Sequence, residues 1–236
     1  MPETVYPLID GLALERRGLR DRVYDLVLEM LMSSNLEPGS RLSIDMIARN
    51  LNVSPTPVRE ALVQLERTGL VTREAHKGYR VAPPIADDQL EALFDTRMIL
   101  EVGATELAAR DAQTLVPLLE DSLEQHRRVA AQVQAGVADG PVSVQLLTEY
   151  FAVDWAFHHL IFESTHNPFL LDMSETISTR VHRMRQTVLS GVTDADHAVA
   201  EHTAIVEAFT MGPEAAAAAM RTHIEMVRGR SRSISH

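Results

Sequence analysis

From Ala86 onward, apolar residues recur at helical spacing and no alternating, strand-like stretch interrupts them. The breaks fall at Asp111, Gly140-Pro141, Asn167-Pro168, Gly191 and Gly212-Pro213, all residue types that end or start helices. The pattern predicts six helices, roughly 87–110, 113–138, 143–165, 168–190, 194–210 and 213–230. Long amphipathic helices joined by short turns bury their apolar faces only against one another. The expectation is an all-helical antiparallel bundle, large enough to hold its own core.

The first part of the chain reads differently. A helical pattern opens near Leu19, with Leu19, Val23, Leu26, Val27, Met30 and Leu31 on one face, and Pro38-Gly39 follows it. Ser43 to Leu51 is a short helix with Ile44, Ile47, Ala48 and Leu51 in register, and only Asn52 and Val53 separate it from Ser54. In SPTPVREALVQLERTG, residues Val58, Ala61, Leu62 and Leu65 form one apolar stripe, while Thr56, Arg59, Glu60, Gln64 and Arg67 lie off it. Ser54 suits the N-cap, and Pro55 suits the first helical position, where an N–H would be orphaned anyway. Two short helices joined by a tight turn make a helix-turn-helix, whose second helix offers its N-terminal side chains to a major groove. Two short β-prone runs, Leu70 to Thr72 and Tyr79 to Val81, bracket REAHKG and would add a two-stranded wing with a basic tip.

The string PGSRLSIDMIARNLNVSPTPVREALVQLERTGLVTREAHKGYRV resembles the DNA-binding domain of the GntR family of bacterial transcription regulators, over roughly residues 19 to 82. The resemblance implies that Ser54, Thr56 and Arg59 meet operator DNA from the recognition helix, and that Lys77 and Gly78 bring the wing tip to the adjacent minor groove. Arg41, just ahead of the second helix, would contact a phosphate. The chain departs from the pattern at Pro55, where many relatives carry a residue able to hydrogen-bond.

Charge is divided between the two parts. Of 22 Lys and Arg against 33 Asp and Glu, residues 1–82 hold 11 of each, and the whole acidic excess lies beyond residue 82. A locally balanced reading domain permits phosphate contacts, and an acidic second domain discourages nonspecific DNA binding. The absence of cysteine excludes a disulfide framework and thiolate metal sites and fits the cytoplasm. No run of 18 apolar residues suggests a membrane span, and the first residues lack the basic start and apolar core of a signal peptide. The expected organisation is an arm at 1–18, a winged helix-turn-helix at 19–82, a linker at 83–86 stiffened by Pro83-Pro84, a helical domain at 87–230 and a tail at 231–236.

Inside the bundle, four polar residues stand where the stripes call for apolar ones. Phe151, Asp154, Trp155, His158, Ile161 and Phe162 share a face, so Asp154 and His158 project side by side. His202 precedes Ile205, Val206 and Phe209 on its face, and His223 lies among Ala219, Met220, Met226 and Val227. An unpaired buried carboxylate is costly, and three histidines with one carboxylate suit a divalent cation such as zinc, nickel, manganese or iron. Core residues satisfied by neighbouring carbonyls would give the same pattern. His126, His159, His166, His182 and His197 fall off these stripes and are expected at the surface.

DWAFHHLIFESTHNPFL, AEHTAIVEAF and AMRTHI resemble the FCD domain, the helical effector domain of the FadR subfamily, and the six helices resemble its shorter VanR-like variant. The resemblance implies metal ligation by Asp154, His158, His202 and His223. It also aligns Arg97 and Glu101 with the family's Arg-x3-Glu pattern. Arg97 then either pairs with Glu101 one turn away or clamps the carboxylate of a small organic acid or sugar acid. The expected protein is a homodimer that binds a palindromic operator on double-stranded DNA, with an effector shifting the spacing of its two reading heads. Two other readings stay open at this stage: a constitutive DNA-binding dimer without metal or effector, and a metallohydrolase fused to a DNA-binding module. The latter lacks a general-base arrangement such as HExxH.

Overall fold

The computed structural model describes residues 10–33, 36–75, 77–83, 85–139, 142–187 and 195–234. The arm residues 1–9, His76 of the wing, Pro84 of the linker, the breaks at Gly140-Pro141 and Gly191, the side chain of His182 and the last two tail residues lie outside them. The chain divides into two compact units, Met1–Pro83 and Pro84–His236.

The first unit runs α1 (Asp10–Ser33), β1 (Arg41–Leu42), α2 (Ile44–Leu51), α3 (Pro55–Thr68), β2 (Val71–Glu74) and β3 (Gly78–Val81). Helix α1 begins well before Leu19, because LALERR is a run of strong helix formers with nothing to stop it. The Ser43 hydroxyl caps α2 by accepting from the Met46 N–H at 3.4 Å. Asn52 ends α2 in the left-handed region at φ 53°, and the Val53 N–H returns to the Ala48 carbonyl at 2.9 Å. This closure makes the sharp corner between the two helices. Gly69, at φ 77°, ends α3 in the same way, with the Leu70 N–H on the Leu65 carbonyl at 3.1 Å. Ser54 has the extended backbone of an N-cap, but its hydroxyl makes no cap bond. The donor usually capped three residues on is missing, because Pro57 stands there.

The wing is larger than expected. Arg41–Leu42 adds a third strand, giving the antiparallel order β1-β3-β2, with Arg41 opposite Arg80 and Leu42 opposite Tyr79. Side chains alternate across the pleat, so Leu42 and Tyr79 turn into the core while Arg41 and Arg80 share the other face. The core of this unit joins Val23, Val27 and Leu28 of α1 to Ile47 and Ala48 of α2 and to Val58, Ala61, Leu62 and Leu65 of α3, all buried.

The second unit is helical: α4 (Asp87–Ala108), a 3-10 turn at Ala109–Asp111, α5 (Ala112–Asp139), α6 (Val144–Glu163), α7 (Pro168–Thr187), α8 (Ala195–Phe209) and α9 (Pro213–Ile234). Helix α9 runs on through residues expected in the tail, since no proline follows Gly229 to break it. Asn167 caps α7, its side-chain oxygen accepting from the Phe169 and Leu170 N–H groups at 3.0 and 3.3 Å. Helix α4 packs on α9, α6 and α7, α5 packs on α6 and α8, and α8 packs on α9. Phe94, Leu115, Leu119, Phe157, Ile161, Phe162 and Ile205 form the centre of the apolar core. No helix among the described residues is long and apolar enough to cross a membrane.

Leu62 is fully buried on α3, so Leu62→Ala removes packing that its neighbours cannot refill. The expected loss is about 2–5 kcal/mol in the first unit, against less than about 0.5 kcal/mol for Met46→Ala on the exposed side of α2. Urea unfolding followed by circular dichroism measures both.

Candidate metal centre and nucleic-acid interface

The inward polar residues meet in the second unit. Asp154 and His158 of α6, His202 of α8 and His223 of α9 are all buried, together with Arg97 and Glu101 of α4. The ring centroids of His158, His202 and His223 lie 4.9 to 5.2 Å apart. One nitrogen from each falls within 4.8 Å of the others, close enough to share an ion.

Each of these rings is held from behind. Nδ1 of His158 lies 2.9 Å from Glu101 Oε2, and Nδ1 of His223 lies 2.8 Å from Glu201 Oε2. Nδ1 of His202 lies 3.2 Å from Nδ1 of His126. The two carboxylates are anchored in turn, Glu101 by Arg97 at 2.5 and 3.3 Å and Glu201 by Arg230 at 2.6 and 3.0 Å. Meanwhile the Nε2 atoms of His158, His202 and His223 are buried with no hydrogen-bond partner. A buried polar nitrogen left without a bond is costly. Three such nitrogens, on rings whose Nδ1 atoms each lie within 3.2 Å of a side-chain partner, are a donor set that could hold a metal ion.

Asp154 stands at the edge of this group. Its Oδ1 is 3.8 Å from Nε2 of His202 and 3.9 Å from Nε2 of His126, and it groups with those two histidines rather than with His158 and His223. His202 belongs to both sets. His126 corrects the sequence reading, which left it at the surface: it is fully buried. The signal was present in α5, where Leu115, Leu119, Ser122, Leu123, His126, Ala130 and Val133 form a buried helical stripe.

Electrostatics keep His202 and His223 neutral. Burial holds His202 far below the usual histidine range, and neighbouring His223, His158 and His126 push the same way against Asp154. Burial likewise lowers His223 to about 4, with the Glu201 hydrogen bond opposing it. Burial alone would raise Glu101, but Arg97 and His158 outweigh it and hold the carboxyl well below its ordinary value. Glu201 is lowered against the same burial by hydrogen bonds from His223 and Arg230. Neutral imidazoles keep the lone pairs that a cation requires.

Arg97 is wholly buried, and Glu101 takes its Nε and Nη2, which leaves Nη1 buried without a partner. The ion pair expected one turn apart is therefore present, and a bidentate clamp on a ligand would have to break it.

In the first unit, Ser54, Thr56 and Arg59 are exposed at the start of α3, and Glu60, Val63, Gln64 and Arg67 continue that face. Arg41 is exposed on β1. Lys77 and Gly78 lie at the β2–β3 turn, with Gly78 at φ 83°, a backbone that other residues rarely adopt. Glu74 holds two of the wing cations, Lys77 at 3.1 Å and Arg80 at 3.3 Å.

The profile described as the FCD domain matches residues 92–226, and that described as bacterial regulatory proteins, gntR family, matches residues 19–81. The Nta operon transcriptional regulator of Aminobacter aminovorans is 31% identical over 158 residues, 66% of this chain and 68% of that protein. The HTH-type transcriptional regulator LutR of Bacillus subtilis is 26% identical over 219 residues, 84% and 94% of the two chains. Among solved structures, E. coli McbR/YncC aligns over 92% of this chain and 99% of its own, with a TM-score of 0.67 at 19% identity.

Between about pH 6.5 and 4 the unfolded chain takes up the His223 proton and the folded, metal-free chain does not, so acid favours unfolding. The stability is complete above pH 6.5 and falls by roughly 3 kcal/mol as pH drops through that window. Urea unfolding of metal-stripped protein at several pH values measures the slope, and His223→Leu should remove the His223 share of it while His202 keeps its own.

Proposed function

The chain belongs to the gntR family of bacterial regulatory proteins and carries an FCD domain; on that premise we propose that it is a metal-assisted sensor that adjusts its hold on DNA to a small carboxylate or sugar acid. It is a DNA-binding transcription regulator and not an enzyme. The observation that carries the sensor reading is the meeting of three buried imidazoles, with one nitrogen of each within 4.8 Å of the others and an Nε2 on each without a hydrogen bond. His158, His202 and His223 would hold a divalent ion, with Asp154 reaching it from beside His202. The ion would supply a positive centre for carboxylate oxygens when bound. Arg97, already paired with Glu101, would offer one further contact through Nη1.

In this reading the protein acts in the bacterial cytoplasm as a homodimer on a palindromic operator. Thr56 and Arg59 at the start of α3 enter the major groove, Arg41 meets a phosphate, and Lys77 and Gly78 bring the wing to the minor groove. An effector that prefers one arrangement of the dimer changes DNA affinity by the same coupling free energy. The six helices α4 to α9 support the shorter, VanR-like form of the domain.

Elemental analysis of the native protein should find about one divalent ion per chain, and a His202→Ala, His223→Ala double variant should hold none. A panel of small carboxylic and sugar acids should then contain one that changes operator binding by the native protein and not by the variant. Absence of metal from both, with no acid acting, would leave a DNA-binding dimer with a structural bundle. Arg59→Ala should weaken operator binding by about 1–3 kcal/mol and flatten its salt dependence if the contact is to phosphate, or relax sequence preference if it is to a base. Fluorescence anisotropy at several salt concentrations separates the two.

A further inference from the structure

Two of the three converging histidines rest on carboxylates, and the third does not. His158 has Glu101 behind it and His223 has Glu201, each carboxylate pinned by an arginine. His202 has only another imidazole, Nδ1 to Nδ1 at 3.2 Å. Building on the metal reading above, we infer that His126 is the positioning residue for His202, fixing both the direction of its ring and the nitrogen that carries its proton.

The packing around His202 leaves that job to His126. Phe157 stacks on the His202 ring with centroids 4.1 Å apart and planes 10° apart, which fixes its plane but leaves open the half-turn about Cβ–Cγ that exchanges its two edges. The hydrogen bond to His126 selects one of the two and leaves Nε2 as the nitrogen of His202 open to an ion shared with His158 and His223. His126 is itself set by α5 packing, fully buried with its ring 5.1 Å from that of Tyr150.

The proton count follows from the geometry. Only one proton fits between two Nδ1 atoms at this distance. If Nε2 of His202 gives its lone pair to an ion, Nδ1 must carry the proton, and Nδ1 of His126 must accept it. A neutral His126 then bears its own proton on Nε2, on the side of Asp154 Oδ1, 3.9 Å away. His126 is in this way committed to supporting His202 from behind: its Nδ1 is spent on that ring.

The test uses the full-length protein with zinc or cobalt alone. Chelator competition should show zinc held about 10–100-fold less tightly by His126→Ala, the usual effect of losing such an outer partner. His126→Asn, whose amide oxygen can accept at the position of Nδ1, should recover most of that loss. The absorption bands of the cobalt-loaded protein should keep their shape in both variants, since no ligand is removed. In native zinc-loaded protein, nitrogen-resolved NMR should place the His202 proton on Nδ1, a readout that needs no variant to fold. Native-like zinc affinity in His126→Ala overturns the inference while leaving the metal site standing. So does a cobalt spectrum altered in His126→Ala and not restored in His126→Asn, which would make His126 a ligand. A His202 proton found on Nε2 overturns it as well. A native protein that binds neither zinc nor cobalt overturns the metal reading and this inference together, whereas loss confined to the variants cannot touch the former.

Discussion

Three imidazole nitrogens buried without hydrogen bonds set the terms for the second half of this protein. Each costs about 1–3 kcal/mol in the absence of a partner, and nothing local relieves it. The bundle tolerates the arrangement because it surrounds the nitrogens with packed aromatic and aliphatic side chains, among them Phe94, Phe157 and Ile205. It also locks the far side of each ring, so that the rings cannot swing away to find other partners. The arginine behind each carboxylate extends the same logic outward, since a buried carboxylate is stable only when its charge is matched. Packing, ion pairs and hydrogen bonds are thus layered around one small volume.

Much of this was legible in the residue order. Prolines and glycines mark helix ends by their own stereochemistry, which is why the six helices lie close to their expected bounds. Asp154, His158, His202 and His223 stood out because each breaks an apolar stripe, and Arg97 with Glu101 because four residues make one turn. His126 breaks a stripe in the same manner, but Ser122 one turn earlier is polar too, so that face of α5 reads as mixed rather than as core. Glu201 and Arg230 lie beyond such reading altogether. Their roles exist only because α8 lies against α9, a fact of tertiary packing. The two-residue strand β1 is illegible for a similar reason: Arg41–Leu42 is a strand solely by virtue of β3 beside it.

The DNA-reading unit shows a different economy. Prolines at the first and third positions of α3 remove N–H groups that would otherwise need caps, which leaves the Ser54 hydroxyl uncommitted and the helix start open. Glu74 in the wing pairs with Lys77 and Arg80, so one carboxylate sets the positions of two cations. Because the ion pairs are largely exposed, they are weak and hold the two cations only loosely.

The spacing of the site along the chain has a consequence for how the protein is made. Its parts come from α4, α5, α6, α8 and α9, from Arg97 to Arg230, whereas the reading unit is complete by Val81. Chains leaving the ribosome fold domain by domain from the N-terminus. The unit that grips DNA is therefore finished long before His223 and Arg230 emerge, and through that interval the newborn chain holds a formed reading head without a formed helical domain.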